Sequence, residues 1–208
     1  MLLSTLADKS VVFVGFEATN RALYKEARKR FPEQTFSVAD KNADLKLPDD
    51  PLLESMLGHD YLSFLDDFDV IVRSPGVPYT ILPKRLRSRI TSATNLFFDE
   101  VRSKTNAIIV GITGTKGKST TSTLIYEVLK VTRRDVLLLG NIDIQDWDAI
   151  SKIKNDTVIV YEMSSYMLED FTGRPDIAVF LDIFPDHMDW HGSFENYRDA
   201  KARFFKDV

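Results

Sequence analysis

The chain has 208 residues, 44% of them hydrophobic, 27 Lys and Arg against 31 Asp and Glu for a formal net charge of −4, and no cysteine. That much apolar material can fill one large core or two small ones, and two domains are expected. The scattered basic residues argue against a nucleic-acid footprint, the lack of cysteine excludes thiol catalysis and disulfides, and no apolar run is long enough to span a bilayer, so a soluble cytoplasmic protein is expected.

In chain order, Ser10–Gly15 (S-V-V-F-V-G) is a near-continuous apolar run ending in glycine, the pattern of a parallel strand covered on both faces. Asn20–Phe31 carries Ala22, Leu23, Ala27 and Phe31 among charges and reads as a helix, and Gln34–Val38 reads as a second strand. In this βαβ unit the strand-to-helix loop, with Gly15, Phe16 and Thr19, falls where a dinucleotide-binding fold seats its ligand. Glu17 and Asn20 stand where the second and third glycines of G-x-G-x-x-G belong, so the fingerprint is weak, and Glu17 would repel a pyrophosphate.

Residues 42–67 are acidic and show no clear element. Phe68–Arg73 is the next strand, ending in the turn Ser74-Pro75-Gly76-Val77-Pro78. Such a turn can present backbone N–H groups to a ligand or can be purely structural. Pro83–Arg89 is expected as a helix whose basic cluster is a solvated face, Arg89–Ser92 as a short strand and Asn95–Lys104 as a helix. The polar run Ser103–Asn106 marks the boundary between expected domains 1–104 and 105–208.

Beyond it, Ala107–Gly111 reads as a buried strand, Gly114-Thr115-Lys116-Gly117 as a loop, and Lys118-Ser119-Thr120 as the first turn of a helix through Leu129. This is the layout of a phosphate-binding loop. Glycines let backbone N–H groups converge on an anion, the helix N-terminus adds partial positive charge, Lys118 can reach the outer phosphates and the Ser119 hydroxyl can ligate Mg²⁺. The strict G-x-x-x-x-G-K-[ST] pattern fails at Ile112, and the plain alternative is a Gly/Thr turn joining a strand to an amphipathic helix. Asp135–Leu139, Thr157–Glu162 and Asp176–Leu181 are three further apolar strands, and Ser193–Phe205 is a helix capped by Ser193. Strands alternating with helices imply an α/β fold: a Rossmann-like parallel-sheet domain followed by a phosphate-loop ATPase-type domain, with functional groups at the strand carboxyl ends. Lys118, Ser119, Asn141, Glu162 and His187 fall there. Glu162 closes an apolar strand, where a carboxylate is costly to bury unless it is paired or bound to a metal; the alternative is an exposed strand-end glutamate.

G-T-K-G-K-S-T-T, G-N-I at Gly140–Ile142, E-M-S-S-Y-M-L-E at Glu162–Glu169, D-H-M-D at Asp186–Asp189 and Y-R-D-A-K at Tyr197–Lys201 occur in the order and spacing of the Mur ligases. The combination resembles that family, and V-G-F-E-A-T-N with the S-P-G-V turn extends the resemblance over most of the chain. The resemblance implies an ATP-dependent amide ligase of peptidoglycan precursor synthesis, most like the members that add D-glutamate to UDP-N-acetylmuramoyl-L-alanine through an acyl phosphate. It implies that Lys118 contacts the β/γ-phosphates, that Ser119 and Glu162 hold one Mg²⁺, and that His187 ligates a second together with Lys201, whose family counterpart is carbamylated. Asn141 and Ser165 would help hold the UDP-muramoyl substrate, with its uridine end on the Gly15–Asn20 loop and the Ser74–Gly76 turn.

Lys41-Asn42 and Lys116 depart from the family pattern, the latter by adding positive charge near phosphates. Family members continue past the position of Val208 with the domain that binds the incoming amino acid. The expectation is therefore an N-terminal half, a monomer, inactive alone. Competing readings are a non-catalytic nucleotide- or UDP-sugar-binding module and a ligase resembling folylpolyglutamate synthase.

Overall fold

The computed structural model describes residues 1–132, 134–142 and 146–205. The chain forms two compact units that part between Leu96 and Phe97. Residues 206–208 of the expected second domain lie outside the described residues.

The first unit carries strands β1 (Val11–Val14), β2 (Phe36–Asp40), β3 (Leu53–Leu57), β4 (Val70–Arg73) and β5 (Ile90–Ser92), with helix α1 (Ala18–Arg30) between β1 and β2. They form one parallel sheet in the order β3-β2-β1-β4-β5. All four β1 residues are buried because both faces of the strand are covered. Val12 and Val14 pack with Ile71, Val77, Leu82 and Leu86. On the other face Phe13 meets Phe16, Tyr24 and Phe36 edge-on or tilted, with centroids 5.9–6.1 Å apart, which seats α1. The expected helix over Pro83–Arg89 is a 3-10 segment, Lys84–Arg89, that buries only Leu86.

Helix α2 (Ala93–Lys104) leads into β6 (Ile108–Thr113), α3 (Lys118–Val131), β7 (Val136–Gly140) and the short α4 (Asp146–Ala149). There follow β8 (Val158–Glu162), the single turn α5 (Ser165–Leu168), β9 (Ile177–Phe180), the single turn α6 (Met188–His191) and α7 (Phe194–Ala202). The sheet is parallel, in the order β7-β8-β6-β9. Ile125, Tyr126 and Leu129 of α3 cover Val110, Ile112, Val158 and Val160 on one face. The compact units part within α2, before the expected Lys104–Thr105 boundary. The reason is aromatic packing: Phe97 lies 5.8 Å from Tyr161 and 6.0 Å from Trp147, and Phe98 lies 4.9 Å from Phe171.

Candidate active site

In the second unit, β6 delivers the chain to Gly114–Gly117 and α3 begins at Lys118 with Gly117 as its N-cap. Gly114 sits at φ 150°, and a Cβ there would lie 2.6 Å from the Leu181 side chain, so the loop closes against the chain after β9 only because the position is glycine. Thr115 is committed within the fold: its N–H donates to Asp182 O at 2.9 Å, and its hydroxyl lies 2.9 Å from Tyr197 Oη and accepts from Phe184 N–H at 2.9 Å. Lys116, Gly117, Ser119 and Thr120 are exposed, while half-buried Lys118 donates to Thr115 O at 3.0 Å. The exposed loop and helix start, with a lysine folded over them, can receive an anion.

The neighbouring strand β8 sets Glu162 level with Ile112 of β6 and Gly140 of β7. Glu162 is 1% exposed; its Oε1 accepts from Asn141 Nδ2 at 3.1 Å, and its Oε2 is buried with no hydrogen-bond partner. A buried carboxylate oxygen left without a donor is costly, and a cation is one species that would complete it. Asn141 is aimed by its backbone: Asn141 N–H donates to Glu162 O at 2.8 Å, and Gly140 holds φ 98° where a Cβ would stand 2.1 Å from Glu162 O. Behind this turn, Asp146 accepts from Gly140 N–H at 3.0 Å and from the Tyr161 hydroxyl. Burial pushes the Asp146 carboxyl up to about 6 against both hydrogen bonds.

Lys201 on α7 is 1% exposed and donates to Gly114 O at 2.9 Å and Thr113 Oγ1 at 3.2 Å. Burial, followed by the charge of Lys118, lowers it to about 8, and Asp186 opposes the shift. His187 has φ 55°, with Nε2 3.7 Å from Asp186 Oδ2, and Asp186 also lies 3.9 Å from Lys116 Nζ. Ser165, expected at the substrate, is 3% exposed with its hydroxyl 3.1 Å from His191 Nε2. That hydroxyl is turned inward because the N-cap of α5 is Ser164, whose Oγ accepts from Met167 N–H. His191 is lowered by burial, then by His187 and Lys201, with Asp189 opposing.

Among the described residues no three His, Cys, Asp or Glu side chains converge as a metal site. The donors available, one carboxylate and one hydroxyl beside a phosphate loop, fit Mg²⁺, which keeps waters and takes substrate phosphates. A protonated Lys201 does not fit as a metal ligand; only an oxygen-bearing derivative would. Sequence alone does not point to Thr113, Asp146, Tyr161, Glu169, His191 and Tyr197, because their partners are distant in the chain; the one local signal is His191, four residues after His187.

In the first unit, Gly15, Ser74 and Gly76 line a cavity of about 140 Å³ with Glu17, Asp40 and Tyr61. Phe16, Thr19 and Pro75, expected with them, do not line it. Phe16 is fully buried among the α1 aromatics and its N–H donates to Asp40 Oδ2 at 2.8 Å. Asn20, where the dinucleotide pattern has glycine, is buried and its Nδ2 reaches Gly15 O at 2.7 Å, Val72 O at 3.1 Å and Val14 O at 3.4 Å. Glu17 lies beside the second turn: its Oε2 is 3.2 Å from where a Gly76 Cβ would be.

Residues 112–208 match the family model for the Mur ligase middle domain. The UDP-N-acetylmuramoylalanine–D-glutamate ligase of Geobacillus kaustophilus is 40% identical over 150 residues, covering 70% of this chain and 33% of that protein. The protein of the same name from Clostridium botulinum is 34% identical over 208 residues, covering 95% of this chain and 44% of its own length. The chain thus spans between a third and a half of the curated relatives it matches. The crystal structure of UDP-N-acetylmuramate:L-alanyl-gamma-D-glutamyl-meso-diaminopimelate ligase from Neisseria meningitides superposes with a TM-score of 0.54 at 18% identity, over 97% of this chain and 69% of that one, a likeness of fold. The Gly114–Gly117 loop, the strand-end Glu162 and the buried Lys201 lie in the unit whose residues 112–208 match the Mur ligase middle domain, and the Clostridium botulinum relative, itself named as such a ligase, matches across both units.

Proposed function

We propose that this chain carries the nucleotide- and cation-binding part of an ATP-dependent amide ligase that adds D-glutamate to UDP-N-acetylmuramoyl-L-alanine in peptidoglycan precursor synthesis. The observation that carries the reading is the buried, unpartnered Oε2 of Glu162 on the strand beside the phosphate loop. Lys116, Gly117, Lys118, Ser119 and Thr120 receive the ATP phosphates, Ser119 and Glu162 hold one Mg²⁺, and His187 with a carbamylated Lys201 holds a second. The ions would screen the charge between a substrate carboxylate and the γ-phosphate.

Lys118 aligns the phosphates. The muramoyl-alanine carboxylate attacks the γ-phosphorus, ADP leaves, and the acyl phosphate so formed is attacked by the D-glutamate amine with loss of phosphate. Asn141, held on Glu162, is placed to orient the carboxylate. Lys201 is suited to carbamylation, since an amine lowered to about 8 is about one-tenth neutral at pH 7. The neutral nitrogen forms a bond to CO₂ carbon and releases a proton, turning a cation into an oxygen ligand. The first unit's cavity, at Gly15, Ser74 and Gly76, takes the uridine end.

The test is calorimetric titration of the 208-residue chain with ATP, with and without Mg²⁺. Magnesium-dependent binding is expected, weakened at least about tenfold by Lys118→Ala and, for its magnesium dependence, by Glu162→Gln. Unchanged magnesium-dependent binding in both variants would remove the assignment. Ligation activity belongs to a protein of the relatives' length, where phosphate release should require both UDP-N-acetylmuramoyl-L-alanine and D-glutamate.

A further inference from the structure

His191 joins three parts of the second unit. Its side chain is 2% exposed. Its Nε2 is 3.1 Å from Ser165 Oγ, and its Nδ1 faces Glu169 Oε1 at 3.6 Å. The same Glu169 oxygen accepts from Trp190 Nε1–H at 3.1 Å, so one carboxylate on the α5 side gathers two ring nitrogens from α6. The His191 ring lies parallel to Tyr166, 6° off with centroids 5.9 Å apart, and Tyr166 in turn lies 5.0 Å from the His187 ring. Through its backbone, His191 N–H donates to His187 O at 2.9 Å, and His191 O accepts from Asn196 Nδ2 of α7 at 2.8 Å.

These contacts bear on His187, a non-glycine residue in the left-handed region, a conformation that persists only where its surroundings over-determine it. We propose that His191 is the positioning residue for His187: as an Nδ1–H imidazole bridging Ser165 and Glu169, it locks the α6 turn to α5 and holds the His187 ring, through Tyr166, where it can ligate a cation. The tautomer follows from the neighbours. The nitrogen facing the Glu169 carboxylate keeps the proton, and the other accepts the Ser165 hydroxyl proton. Ser165 thereby acts through His191. The inference rests on the reading of His187 as a cation ligand.

Two measurements test it on the 208-residue chain. The first is long-range ¹H–¹⁵N NMR of histidine-labelled protein, which holds three histidines, with free histidine in the same buffer as the averaging reference. His191 should show a single Nδ1–H tautomer, with its Nε2 resonance moved by Ser165→Ala. An Nε2–H form, or averaging like that of free histidine, overturns the proposal.

The second is paramagnetic broadening of the His187 ring signals by Mn²⁺ with ATP. Half-maximal broadening should need about tenfold more Mn²⁺ in Ser165→Ala and in His191→Phe, which keeps the ring stack, and less than that in His191→Gln, whose amide oxygen can still accept from Ser165. If wild type is broadened and all three variants match it, His191 does not position His187 and the cation reading survives. If Mn²⁺ does not reach His187 in the wild type, the cation reading falls and the proposal with it.

Discussion

Replacing Lys201 with methionine removes a buried amine while keeping most of the side-chain volume, and the effect on stability has a defined pH signature. The folded state lowers this amine from 10.5 to about 8 through burial and the charge of Lys118. That lowering corresponds to about 3 kcal/mol. The sign follows from proton counting. Below pH 8 both folded and unfolded chains hold the proton, and the native state carries the full cost of a buried cation. Between pH 8 and 10.5 the unfolded chain holds more protons than the native one, so stability rises with pH and the cost is gone above 10.5.

The wild-type second unit should therefore gain about 3 kcal/mol across that window relative to Lys201→Met. The assay is urea unfolding in CO₂-free buffer at pH 7, 8.5 and 10, followed by fluorescence of Trp147 and Trp190, the two tryptophans of the chain, both in this unit. Tyr166 and Tyr197, both raised by burial, titrate in wild type and variant alike and largely cancel in the difference. Parallel stability profiles would refute the buried-amine account, and with it the reason Lys201 is suited to carbamylation.

Gly140→Ala should cost about 3 kcal/mol or more, because a Cβ would meet Glu162 O at 2.1 Å and φ is 98°; a melting temperature within a few degrees of wild type would contradict it. Glu17→Gln removes a carboxylate from the first unit's cavity. Binding of UDP should tighten about fivefold at low salt, about 1 kcal/mol, and the gain should fade by 0.5 M salt; a gain independent of salt would exclude charge repulsion as its cause.

What could be read directly from the residues was whatever the local pattern settles. The apolar runs of β1 and β8 are strands because both faces are covered, and the run Gly114–Ser119 announces a strand-to-helix turn wherever it occurs. The half-exposed β3, L-E-S-M-L, was missed because its outward residues are acidic and polar, so neither alternation nor a continuous run stands out. Pro83–Arg89 reads as a helix, but the 3-10 segment Lys84–Arg89 buries only Leu86. The site divided in the same way. Glu162 was legible as a carboxylate at the end of an apolar strand. Lys201 is named only through the family resemblance, since burial of a lysine depends on Thr113 and Gly114, 88 and 87 residues away, and only the fold shows that Ser164 caps α5 while the Ser165 hydroxyl turns to His191.

Asn20 has a consequence for how the first unit can change over generations. Here one amide ties Val14, Gly15 and Val72 together, so the ends of β1 and β4 move as one piece. Loss of that amide, as in Asn20→Gly, would leave three carbonyl oxygens of the interior without it at once, so such a change bears on the loop and the β4 end together. With that tie in place, a change of ligand preference is made with least disturbance through side chains at the cavity rim such as Glu17 and Tyr61.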